Sequence, residues 1–153
     1  MSEFAGNGGI AMRRTTASPE ETRALAAEIA AGLRYGDVLF LEGDLGAGKT
    51  EFVKGLAASL GATEPVQSPT FGLVHEYRIH EGRLFHLDFY RLDDARAIHQ
   101  AGLDQYFEPE GISVIEWASR WEARLFIDPV RVHIEVGEGR QRHFRIDPSG
   151  GRR

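Results

Sequence analysis

The spacing of apolar residues changes along the chain, and each change predicts an element. In SPEETRALAAEIAAGLRYGD, Leu25, Ile29 and Leu33 recur every four residues and form one stripe of a helix. Ser18 caps that helix, Pro19 fits its first turn, Glu21 completes a capping box three residues on, and Gly36 ends it. DVLFLE is too short and too continuously apolar for an amphipathic helix, so it reads as a buried strand. Helical spacing returns after it, with Phe52, Val53, Leu56 and Leu60 on one face and Gly61 as the stop. FGLVHEYRI and RLFHLDFY are β-rich runs separated by HEG, which predicts an antiparallel hairpin. GISVIEW is a second buried strand, and VRVHIEV and RHFRI, joined by GEGRQ, alternate as a closing hairpin. Between these lie TEPVQSPTF, expected as an ordered loop, and DDARAIHQAGLDQYF and ASRWEARLF, both expected to be helical at least in part. The sum is α/β: a mixed central sheet with flanking helices and a C-terminal hairpin.

Composition narrows what such a fold is for. The 153 residues fit one domain, expected over 15–147, with unpatterned ends over 1–14 and 148–153 expected to be disordered. The net charge of −5 argues against a broad electrostatic grip on nucleic acid. The absence of cysteine excludes disulfides and thiolate chemistry. No apolar run reaches membrane-span length and MSEFAGNGGIAMRR has no signal-type apolar core, so a cytoplasmic location with no membrane partner is expected.

The chemistry begins at GDLGAGKT. Gly43, four residues, then Gly48, Lys49 and Thr50 meet the P-loop pattern in full, between a predicted strand and a predicted helix. The glycines bring backbone N–H groups close to phosphate oxygens, and the helix start adds its positive end. Asp44, Leu45, Gly46, Ala47, Gly48, Lys49, Thr50 and Glu51 are therefore the nucleotide-binding candidates, with Lys49 directed at the β- and γ-phosphates and Thr50 at Mg²⁺. Lys49 and Lys54 are the only lysines, so a chance match is improbable. Their scarcity also rules out the Asn-Lys-x-Asp element of guanine-specific switches, which favours ATP. A P-loop NTPase-like fold follows.

Phosphoryl chemistry also needs a carboxylate near the metal. Asp88, in HLDFYR, and Glu116, closing SVIEW, are the two candidates. Glu116 follows the more buried strand and fits the Walker-B position, but the division of roles stays open. Thr70, in SPTF, lies where switch-type proteins place a hydroxyl that senses the γ-phosphate. Trp117 is a candidate to stack near the nucleotide, His86 is near enough to Asp88 to orient it, and Arg91 is read as a surface ion pair.

GDLGAGKT, SPTF, HLDFYR and IEW, in that order and over this length, resemble the bacterial TsaE family of small P-loop ATPases required to form threonylcarbamoyladenosine in tRNA. The resemblance runs from Ser18 to the final hairpin. It implies phosphate binding by Gly46, Gly48 and Lys49, metal binding by Thr50 and Asp88, and a catalytic acid at Glu116. It places Thr70 in a switch-like loop and Trp117 beside the nucleotide. It also implies TsaB and TsaD as partners, which perform the transfer and hold the tRNA while the ATPase supports repeated turnover. In the family another acid often follows the Trp, where this chain has Ser119. Two other classes share the loop. A small-molecule kinase would need an acceptor pocket and an arginine lid, for which only Arg120 and Arg124 offer themselves. The other is a module that uses ATP only as a ligand, against which Glu116 speaks mildly, as does Thr70 as a γ-phosphate sensor.

Overall fold

The computed structural model describes residues 10–44, 46–66, 74–89, 110–118 and 128–149. Within them the order is β1 (Met12–Thr16), α1 (Pro19–Ala30), β2 (Val38–Glu42), α2 (Lys49–Ser59), β3 (Val74–Ile79), β4 (Gly82–Asp88), β5 (Gly111–Glu116), β6 (Val130–Val136) and β7 (Arg142–Asp147). The strands form one sheet in the order β1-β7-β6-β2-β5-β4-β3. Its centre is parallel, with β2 between β5 and β6, and β4 beside β5. Antiparallel pairs extend it at both edges: β3 with β4 on one side, β6 with β7 and β7 with β1 on the other. Both predicted hairpins are present.

Alternation along the strands sends one set of side chains toward the helices. Leu39 and Leu41 of β2, Val114 of β5, Val132 and Ile134 of β6, and Phe144 and Ile146 of β7 cluster with Leu25 and Ile29 of α1 and Phe52, Val53 and Leu56 of α2. The α1 start is close to the predicted capping box: Ser18 Oγ accepts from Glu21 N at 3.1 Å, while Glu21 Oε1 accepts at 3.0 Å from Ala17 N, one residue before the cap rather than from the cap itself. The helix stops sooner than Gly36. At its end Gly32 N and Leu33 N donate to Ile29 and Ala30 carbonyls, three residues back, and Leu33 packs on the core from outside the helix. The two helices meet closely at Gly55, where an added Cβ would lie 2.4 Å from the Arg23 carbonyl oxygen.

The ends differ from expectation. Met12–Thr16 is an edge strand, so order begins within the segment expected to lack it through residue 14. Two arginines and one strongly apolar residue give this strand little local signal, and its partner β7 lies at the far end of the chain. Ser149 is buried, so the expected C-terminal tail also starts inside the fold. The segments expected to be helical over 93–107 and 119–126 lie outside the described residues, as does most of the loop expected over 63–71.

Candidate functional site

The phosphate-loop candidates sit where the parallel strands end. β2 delivers the chain at Glu42, and α2 begins at Lys49 with Gly48 as its N-cap in the left-handed region, at φ 106°. Gly46 is also left-handed, at φ 82°, and a Cβ added at either glycine would meet nothing within 4 Å. Side chains are excluded at Gly48 by conformation rather than by crowding, so the backbone faces open space. Gly48 has no side chain with which to cap the first turn of α2. A helix start with left-handed glycines before it and no capping side chain fits a phosphate group. The loop is braced from two sides: Ala47 N donates to Asp44 O at 3.0 Å, and Arg142 Nε of β7 donates to Ala47 O at 3.1 Å.

A buried polar cluster lies under the loop. Lys49 is 6% exposed and Glu116 7%, while His86 is fully buried. Lys49 Nζ donates to Gly43 O at 2.8 Å and lies 3.6 Å from Glu116 Oε1. The other carboxylate oxygen, Oε2, is 2.5 Å from His86 Nε2. Trp117 takes a left-handed conformation, φ 61°, rare for so bulky a residue. That turn at the end of β5 leaves its ring 4.1 Å from the Lys49 ammonium. Asp88 is the register partner of Glu116 on the neighbouring parallel strand, and Phe89 N donates to Glu116 O at 3.0 Å. The two acids therefore end adjacent strands together, at the carboxyl edge where open α/β sheets bind ligands.

Among the described residues no three His, Asp or Glu side chains gather into a metal cage. Mg²⁺ does not require one, since it commonly takes one or two carboxylates, waters and substrate phosphates. Asp88, Glu116 and Thr50 carry oxygen donors of the type Mg²⁺ takes, and the two acids end adjacent strands.

Lys49, Trp117 and Glu116 thus converge, with Asp88 beside Glu116 on the neighbouring strand, and Asp44, Gly46, Ala47, Gly48 and Thr50 belong to the loop and helix start above them. Glu51 differs. Its carboxylate pairs with Arg23 at 2.5 Å and Lys54 at 3.1 Å, which leaves the backbone N–H as what it can offer a phosphate. Burial opposes ionisation of Glu51, but hydrogen bonds and charge from Lys54 and Arg23 outweigh it and hold its pKa below the usual carboxylate value. The stabilisation is thus full above the unfolded-state pKa and is lost as pH falls through the lower folded one. Glu51→Gln is expected to lower Tm at pH 6, with the gap to wild type closing below about pH 4; a gap independent of pH would contradict the pairing.

His86 serves Glu116 and not Asp88. Asp88 lies two residues further along its own strand, while the parallel neighbour brings Glu116 diagonally within reach. Arg142 escaped the sequence reading because nothing near it in the chain hints at the loop it holds. Leu45, Thr70, Arg91, Ser119, Arg120 and Arg124 lie outside the described residues.

The family described as "Threonylcarbamoyl adenosine biosynthesis protein TsaE" matches residues 16–144. The chain is 42% identical over 137 residues to the Bacillus subtilis (strain 168) tRNA threonylcarbamoyladenosine biosynthesis protein TsaE, covering 90% of this chain and 85% of that protein. It is 46% identical over 131 residues to the protein of that name from Aquifex aeolicus (strain VF5), covering 84% and 90%. A crystal structure of Bacillus subtilis YdiB superposes with a TM-score of 0.75 at 36% identity, covering 94% of this chain and 88% of that one. With its P-loop NTPase-like fold and a match through almost all of its described strands and helices, the chain belongs to the TsaE family.

Proposed function

We propose that the protein binds ATP with Mg²⁺ and hydrolyses it to sustain turnover of the complex that forms threonylcarbamoyladenosine in tRNA. It does so in the cytoplasm, with TsaB and TsaD as its partners. The observation that carries this reading is the buried Lys49–Glu116 pair beneath an uncapped, glycine-led helix start. An ammonium and a carboxylate held together out of water are costly to bury unless they are used or fully compensated.

The backbone of residues 44–51 cradles the phosphates, and Lys49 swings from Gly43 O and Glu116 toward the β- and γ-oxygens. Trp117 flanks the nucleotide, and Thr70 senses the γ-phosphate. Thr50, Asp88 and Glu116 would hold Mg²⁺, which would supply positive charge against the phosphate oxygens. Water attacks the γ-phosphorus, the bond to the β–γ bridging oxygen breaks, and Glu116 accepts the proton of the attacking water. The products are ADP and inorganic phosphate. Positioning and charge stabilisation supply most of the acceleration. The negative net charge fits a subunit whose partners hold the tRNA.

The test is ATP hydrolysis by the protein alone and with the purified TsaB–TsaD pair. Weak activity that rises at least tenfold with the pair is expected, and Glu116→Gln should abolish it while leaving ATP binding intact. A rate unchanged by the pair would remove the proposed role.

A further inference from the structure

His86 has no part in the phosphate loop or the metal set, yet it is the most deeply buried polar side chain at the site. It is fully buried, its Nε2 is 2.5 Å from Glu116 Oε2, and its Nδ1 is buried with no hydrogen-bond partner among the described residues. A histidine kept there only for packing would be an expensive choice, because an apolar side chain of similar size would leave no orphaned nitrogen. An ionised carboxylate can only accept, so the bond runs from Nε2–H to Glu116, and Nδ1 of the neutral ring is then the bare acceptor.

This bond makes the two oxygens of Glu116 inequivalent. Oε2 is tied back to β4, and Oε1 is left facing Lys49 at 3.6 Å. Without the tie the carboxylate would rotate about its last side-chain torsion, which is soft and roughly two-fold. We propose that His86 is the positioning residue that clamps Glu116, holding Oε1 toward the Lys49 side of the site, where it serves both the metal and the attacking water, and denying it other orientations. The clamp rests on the proposed ATPase reading and adds to it a residue that never touches nucleotide, metal or water. Its reach comes from sheet register: His86 is opposite Val114, Glu116 is opposite Asp88, and the diagonal between them is short enough for an imidazole to span.

Three variants test the clamp in the partner-stimulated assay. His86→Leu keeps the volume and removes the donor; kcat is expected to fall between tenfold and a hundredfold, with KM for ATP changed less than threefold. His86→Gln, whose amide can reach the position of Nε2, should recover most of the lost kcat. Glu116→Gln and the double variant His86→Leu/Glu116→Gln should be equally slow, because the clamp has nothing left to position. Thermal melts guard against misfolding. If His86→Leu lowers Tm but keeps wild-type kcat, or if His86→Gln is as slow as His86→Leu, the clamp is wrong. If wild-type protein shows no hydrolysis with its partners, the ATPase reading fails instead, and the two failures are told apart.

Discussion

Exchanging Lys49 for methionine is expected to weaken ATP binding by a factor of about 100 or more, equivalent to about 3 kcal/mol, and to remove hydrolysis. Lys49 is almost wholly buried, and without nucleotide its ammonium is shared among the Gly43 carbonyl, Glu116 Oε1 and the Trp117 ring. Methionine keeps the stem and the packing while discarding the charge. Glu116 then loses its cation but keeps the hydrogen bond from His86, so the folded state should lose less than the 3–5 kcal/mol typical of a broken buried pair. Calorimetric titration with ATP and Mg²⁺ measures the first effect, and a thermal melt without ligand the second. Affinity within threefold of wild type would mean that the triphosphate does not use this lysine.

Gly55→Ala is expected to destabilise the protein, against the usual trend. In the middle of a helix this change normally gains about 1 kcal/mol. Here the new Cβ would lie 2.4 Å from Arg23 O, 2.6 Å from its Cα and 2.9 Å from its carbonyl carbon. All three are backbone atoms, which cannot rotate aside as a side-chain tip can, so α1 must move away from α2. A net cost of about 1–3 kcal/mol follows, corresponding to a Tm lower by roughly 2–10 °C for a chain of this size. The shift would strain the Arg23–Glu51 pair at the same contact. A raised Tm would show that the helices can separate without penalty.

The sequence made the frame of the site legible where the signal was local. The loop lies between β2 and α2 as its glycines and flanking periods required, and both hairpins follow their alternation and turn residues. What escaped was made by distant partners. β1 is a strand because β7 offers it an edge, and no pattern in five residues containing two arginines announces that. Arg142 braces Ala47 from a strand that follows it by most of the chain. The orientation of His86 needed the register of β4 on β5, which neither strand specifies alone. Glu51 was placed correctly along the helix, but its side chain is drawn to α1 by a charge that only packing brings near.

The pairing of β1 with β7 has a consequence for how the protein is made. Met12 and Ile146 are partners, so β1, the earliest of the described strands to be made, waits for β7, the latest of them. Until then both β1 and β6 have an open edge on the side that β7 will occupy. Long-range closure of this kind is slow, and open edges recruit other chains in the meantime. Arg13 and Arg14 give the waiting strand positive charge, which discourages two nascent copies from pairing through it. Nascent chains halted before β7 should therefore hold α1, β2 and α2 loosely, with the brace on Ala47 missing and the phosphate loop not yet set. Competence for nucleotide would arrive only with the final strand.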